Sequence, residues 1–318
     1  MSMHDEINGL FPVRKTKAQK EAFRQWVTER ARQTGWDVKM ETGWMLGKSH
    51  NVVVGDPEQA QVIVTAHYDT PAVMPLPNFI TPRNVGLYLL YQVAVVLLII
   101  GVPVFLVCTL ASRLGADFLL CYWLGLIVYF AIFLLMMIGP ANRHNANDNT
   151  SGVASVLELM ERLPQEVRGK AAFILFDNEE KGMLGSGSYA RRHKKVRREK
   201  LLINLDCVGV GDAVLFFAKK KTRALPEWKL LEESFAAVQG KKAEFYPLEK
   251  SMYPSDQAQF DHGVAVCACR RGRRIGWYCS KIHTKEDTLC EQDCLDLLCG
   301  GLQSFIMKLQ DAEGVNGR

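Results

Sequence analysis

The sequence predicts an α/β fold, a mixed and mostly parallel sheet layered by helices, interrupted by a two-helix transmembrane hairpin. Three observations carry the architecture. Apolar, β-favouring runs alternate with amphipathic stretches, the pattern of a sheet covered by helices. Several of these runs stop abruptly at carboxylates or imidazoles, as buried strands do when they deliver groups to a site at their carboxyl ends. Two long uncharged runs, Val85 to Leu110 and Phe118 to Ile138, lie between the first strands and the rest.

Taken in order, Thr16 to Gly35 reads as a surface helix, with Phe23, Trp26, Val27 and Ala31 among charged residues and glycine as the stop. Strands follow at Asn51 to Val54 and Val62 to Ala66, separated by the turn Gly55-Asp56-Pro57. The second strand ends in His67-Tyr68-Asp69-Thr70. Alternation puts His67 and Asp69 on one side, where the carboxylate orients the imidazole or shares its cation.

Each uncharged run meets the ~20 residues a helix needs to cross hydrocarbon. The link between them holds only Arg113 and Asp117, whereas Lys and Arg crowd the outer flanks, Arg83 and Arg143 included. By the positive-inside rule both long arms face the cytoplasm. A hairpin returns the chain to the same side. The expected layout is therefore residues 1–83 as the first part of a catalytic domain, 84–140 as the hairpin and 141–318 as the remainder.

After the hairpin, Asn145 to Gly152 leads into a helix from about Val153 to Leu163, and Asp148 lies just before its positive end. Phe173-Ile174-Leu175-Phe176 is an apolar strand that runs into Asp177-Asn178-Glu179-Glu180. Adjacent carboxylates repel, so such a pair at a strand end points to a cation or a proton-transfer task. Gly182 to Gly187 reads as a Gly/Ser-rich turn, too irregular for a phosphate loop. The basic run from Arg191 to Lys200 is a solvated helix end or a contact for anionic lipid. Leu201 to Asp206 is another strand ending in a carboxylate. Val214 to Ala218 and Val264 to Cys269 are further strands, with helices over about Pro226 to Val238 and Leu289 to Leu309 and His283 before the last.

A net charge of +5 is weak evidence for nucleic acid, and no nucleic-acid partner is expected. Nine cysteines, an odd number, fit reduced thiols, and the spacing of Cys267/Cys269 and Cys290/Cys294 fits core positions better than a structural zinc. Five separated element ends carry His67, Asp148, Glu179-Glu180, Asp206 and His283. Imidazole and carboxylate donors of this kind suit zinc or a similar divalent ion.

On these motifs the chain resembles the M28 family of co-catalytic metallopeptidases, the aminopeptidases related to bacterial leucyl aminopeptidases. His67-Tyr68-Asp69, Asp148 to Gly152, Glu179-Glu180 with Gly182 to Ser186, Asn204-Leu205-Asp206 with Gly209, and His283 before Asp287-Thr288 occur in the family's order. The resemblance implies two Zn2+ ions, with Asp148 bridging, His67 and Glu180 completing one site, and Asp206 and His283 the other. It makes Glu179 the general base on the attacking water and Asp69 the partner of His67. Peptide is the implied substrate and lipid the surrounding of the hairpin. Oligomeric state stays open. The sequence departs from the family in the hydrophobic insert and in Ser255-Asp256-Gln257, where many relatives have Ser-Asp-His. Tyr246 and Tyr253 are both candidates to polarise the scissile carbonyl. Alternatives are a glutaminyl cyclase-like transferase, another amide hydrolase, and a catalytically silent membrane scaffold.

Overall fold

The computed structural model describes residues 2–236 and 238–316. The chain opens with α1 (Met3–Leu10), followed by α2 (Lys17–Gln33), where Thr16 and Gln19 form a reciprocal capping box that satisfies two otherwise orphaned amides. Then come β1 (Val38–Trp44), β2 (Lys48–Val54) and β3 (Val62–His67). Two long apolar helices, α3 (Val85–Arg113) and α4 (Phe118–Ile138), interrupt the sheet. Beyond them lie α5 (Gly152–Arg162), β4 (Ala171–Phe176), α6 (Leu184–Arg192), α7 (Lys194–Glu199), β5 (Leu201–Leu205) and β6 (Ala213–Ala218). The chain finishes with α8 (Pro226–Ala236), β7 (Lys242–Pro247), β8 (His262–Gly272), β9 (Gly276–Tyr278) and α9 (Gln292–Asn316).

The strands form one sheet in the order β1-β2-β4-β3-β5-β8-β6-β7, with β9 on the end of β8. Its centre, β4-β3-β5-β8, is parallel. Antiparallel pairs border that centre, β2 on β4 and β6 on β8. The parallel strands are buried on both faces, which is why they read as unbroken apolar runs. Along β3, Val62, Val64 and Ala66 join a core that also takes Phe23 and Val27 of α2, Val153 to Met160 of α5 and Leu295 to Leu309 of α9. Ile63 points the other way, to Tyr189, Val196 and Phe260. Helices thus cover both faces of the sheet.

The hairpin is a different environment. Leu98, Phe105, Leu106, Phe118, Leu134 and Leu135 are all exposed, so the apolar surface of α3 and α4 is not covered by the rest of the chain. The two helices pack on each other where Gly125 meets Val104 and Cys108 at a spacing that an added Cβ would reduce to 3.2–3.3 Å. Within α3 the turn at Leu97–Gly101 is π-type, next to Pro103, whose ring and missing N–H disturb regular helical bonding there. At the base, the Arg83 guanidinium lies over the Tyr246 ring at 4.3 Å, and Lys15 Nζ donates to Met137 O at 3.1 Å.

Four elements have no counterpart in the sequence reading: α1, β1, β7 and β9. Strand β1 is mostly exposed and lacks a clean alternation. One expectation is corrected. Gly182 to Gly187 is not simply a turn, because Leu184 to Gly187 begin α6. The glycines serve close packing instead: a Cβ on Gly185 would fall 2.1 Å from Asp177 O.

Candidate metal centre

Parallel β3, β4 and β5 lie side by side, so their carboxyl ends open at one edge of the sheet. His67 is the last residue of β3, Asp206 follows β5, and Glu179 and Glu180 form a single 3-10 turn after β4. Asp148 comes from the irregular stretch before α5, and His283 from the loop before α9. All six predicted side chains converge, in overlapping groups of His67 with Asp148 and Asp206, His67 with Glu179 and Glu180, and Asp148 with Glu180 and His283.

The distances revise the pairing that the family resemblance implied. His67 Nε2 is 3.4 Å from Asp148 Oδ1 and 3.7 Å from Asp206 Oδ1. His283 Nε2 is 3.0 Å from Asp148 Oδ2 and 3.4 Å from Glu180 Oε2. His67 therefore groups with Asp206, and His283 with Glu180, because β3 and β5 are immediate neighbours. Asp148 stands between the two groups, one oxygen toward each imidazole.

Supporting residues fix these groups. The His67 Nδ1–H donates to Asp69 O at 3.2 Å, which leaves Nε2 as the free lone pair facing the carboxylates. The Asp69 carboxylate accepts the backbone N–H groups of Glu179 (3.0 Å) and Glu180 (3.3 Å), so the residue holds the glutamate turn as well as facing the imidazole. Asp287 accepts from the backbone N–H groups of Asn147 and Asp148, both at 2.9 Å, and sets the loop that carries Asp148. Asn149 and Asn147 tie the same loop to β5 and the residues just beyond its end, through Leu205 O, Cys207 N and Gly209 N. Beneath the glutamates, Lys20 of α2 donates to Asp177 Oδ1 (2.6 Å) and Asn178 Oδ1 (2.7 Å).

Backbone strain gathers at the same place. Asn178, Met183, Cys207 and His283 all have φ between 56° and 64°, a left-handed conformation unusual outside glycine. Each sits in a turn that aims a neighbouring ligand candidate or is one itself.

The electrostatics favour a cation. Burial would lower both imidazoles, but Asp148 with Asp206 raises His67 well above its usual range, and Glu180 with Asp148 raises His283 to about 9. Burial pushes Glu180 up to about 8, and it also raises Glu179 well above the ordinary carboxyl range. Asp69 resists its own burial because Lys20 and His67 hold it down to about 2. Protons on imidazole and carboxyl groups thus do the neutralising that a divalent ion would do. Asp148 Oδ1 and Glu180 Oε1 are buried and accept no hydrogen bond. Two orphaned oxygens beside two imidazoles, in a mixed N/O set without thiolate, are the donor chemistry of a catalytic zinc site.

Neither tyrosine presents an uncommitted hydroxyl. Tyr253 donates to Asp206 O at 3.0 Å, and Tyr246 is bonded to Glu244 and accepts from Trp277 Nε1 at 3.1 Å. Ser255 and Gln257 both accept from Asn204 Nδ2, tying their loop to β5. Asp256 is buried against the Ser186 hydroxyl, and burial raises its carboxyl to about 7. The sequence marked Asp256 only as part of a motif and gave no sign of Lys20, one of several lysines on a surface helix.

Comparison with known proteins bears on the fold and the family. No curated protein sequence matches the chain. Among solved structures, a glutaminyl cyclase from Porphyromonas gingivalis superposes with a TM-score of 0.60 at 15% identity, covering 97% of this chain and 97% of that one. A Zn-dependent exopeptidase from Parabacteroides distasonis gives 0.59 at 15% identity, covering 96% of each. The LapA aminopeptidase of Legionella pneumophila gives 0.56 at 14% identity, over 96% of this chain and 70% of its own. At these identities the likeness is one of fold. Residues 135–295, more than half of the chain, match the description Peptidase family M28, and the chain belongs to that family of peptidases.

Proposed function

We propose that the protein is a membrane-anchored di-zinc aminopeptidase that removes N-terminal residues from short peptides. One observation carries the two-ion reading: the two oxygens of Asp148 face different imidazoles, His67 at 3.4 Å and His283 at 3.0 Å. On this reading Asp148 bridges, His67 and Asp206 hold one ion, and Glu180 and His283 hold the other. Bound zinc supplies Lewis acidity toward water and toward the scissile carbonyl.

The chain's own residues do the rest. Glu179, like its neighbour Glu180, is partly buried, and burial raises its carboxyl. It takes a proton from the attacking water as the water oxygen bonds to the carbonyl carbon, and returns it to the nitrogen as the C–N bond breaks. Asp69 keeps the two glutamates apart in role by holding both of their amides. A centre rich in carboxylates favours a substrate with a free ammonium terminus over one with a carboxylate there.

The catalytic domain on this reading comprises 1–83 and 141–318, with 84–140 as the membrane anchor. Support comes from the exposed apolar surface of α3 and α4, their lengths of 29 and 21 residues, and the basic flanks, which favour the cytoplasmic side for the domain.

Metal content of the detergent-purified chain, measured with aminoacyl hydrolysis before and after chelation, tests the proposal. Near two zinc ions per chain and release that a chelator stops and zinc restores are expected. Glu179→Gln should keep the metal and lose roughly 10²–10⁴-fold in kcat; undiminished turnover in that variant sinks the base assignment. Ammonia release from an N-terminal glutaminyl peptide, without hydrolysis of aminoacyl substrates, would move the protein to the cyclase reaction.

A further inference from the structure

Beside the metal centre lies a cavity of about 340 Å3, lined by Lys15, Lys17, Lys20, Arg24, Lys48, His50, Asp177, Asn178 and Lys181. Its size falls in the usual range of small-ligand clefts, roughly 300–1,000 Å3. Two of the cations are already matched: Lys20 pairs with Asp177 at 2.6 Å, and Arg24 with Glu21. Among the described residues, Lys15, Lys17, Lys48 and Lys181 form no ion pair with a carboxylate. Four like charges around one concavity repel unless an anion joins them.

The cavity's position says which anion. Lys15 Nζ donates to Met137 O, one residue before the end of α4, so this wall of the cavity meets the foot of the hairpin. Lys15 is half-buried, and burial lowers its pKa against the pull of the Glu180 and Asp69 carboxylates. The basic run at 191–200 differs in position: among the described residues its side chains make no hydrogen bond or ion pair to α3 or α4, and Arg192 and His193 pair with Glu41 at 3.3 and 2.8 Å.

We propose that this cavity binds the phosphate of an anionic phospholipid headgroup in the leaflet next to the catalytic domain. Lys15, Lys17, Lys48 and Lys181 surround the phosphodiester while the acyl chains run along α4. The proposal rests on the hairpin being membrane-spanning. Bound there, the lipid seats α2 and the Glu179-Glu180 turn at a fixed height above the bilayer, because the Lys20–Asp177 pair joins the two.

The test uses the full chain in a neutral detergent, with bound lipid counted by native mass spectrometry in mixed micelles of phosphatidylglycerol or phosphatidylcholine. Phosphatidylglycerol, whose headgroup is anionic where the choline of phosphatidylcholine cancels the phosphate charge, should bind roughly tenfold tighter or more. Lys15→Gln with Lys17→Gln and Lys48→Gln should erase the preference, and the pair Lys17→Gln with Lys48→Gln, whose side chains are exposed, covers the case in which the triple variant unfolds. Lys194→Gln with Lys195→Gln and Arg198→Gln, the same change in charge, should leave it intact. Equal binding of the two lipids, equal loss in the control, or displacement by millimolar inorganic phosphate overturns the lipid assignment, the last in favour of a soluble anion. Alkaline carbonate separates the premises: release of the chain from membranes ends the membrane reading itself, whereas a resistant chain without lipid preference ends only this inference.

Discussion

Asp287 shows how much of a metal centre is made by residues that would not touch the metal. Both its oxygens accept backbone amides of the loop that carries Asp148, so removing them frees that loop rather than deleting a donor. Asp287→Ala should weaken zinc binding about 10–100-fold, measured by competition with a chelator, while all six converging side chains remain. Lys20→Met is a sharper case for stability. It leaves the buried Asp177 carboxylate without its cation, and should cost about 3–5 kcal/mol in denaturant unfolding of the detergent-solubilised chain. The contrast explains what the sequence disclosed. His67, Glu179, Glu180 and Asp206 were legible because acids and imidazoles at the ends of apolar strands are out of character there, and Asp148 because it stands just ahead of an amphipathic helix. Lys20 was not, since only the rotation of α2 against β4 decides which lysine is buried. The pairing of ligand groups was illegible for a similar reason: it comes from the strand order β4-β3-β5, which no single segment encodes.

At the scale of elements, glycines decide where α5 and α6 sit. A Cβ on Gly152 would lie 2.4 Å from Leu205 O, and one on Gly185 would lie 2.1 Å from Asp177 O. Neither carbonyl can retreat, as both belong to the ends of strands that bear the site. Gly185→Ala should therefore lower the unfolding midpoint, with a loss of roughly 1–3 kcal/mol, and an unchanged midpoint would show that α6 can slide. The same glycine explains why the sequence read a turn where α6 begins: low local propensity lost to packing against β4. The central strands were legible from their unbroken apolar runs. Edge strands β1 and β7 were not, because partial exposure on a sheet border removes the periodicity that marks a strand.

The whole molecule is a sheet closed across a hairpin. Antiparallel α3 and α4 pack at roughly 8–10 Å, so their lower ends are close enough for a short bridge. Replacing Val85–Ile138 by a flexible Gly/Ser linker of about ten residues, with a mean reach of roughly 17 Å, should give a chain that stays in solution without detergent and keeps its metal. Aggregation with loss of metal would mean that the hairpin belongs to the catalytic core. The two uncharged runs marked α3 and α4 in the sequence. The order of synthesis adds a consequence. Among the described residues β3 pairs only with β4 and β5, and both are made after α4. A nascent chain therefore holds a strand destined for full burial with two bare edges until both helices of the hairpin have been made. Asp148, Glu180, Asp206 and His283 also lie beyond that point. On this order of synthesis the candidate centre cannot assemble until His283, far beyond the hairpin, has been made.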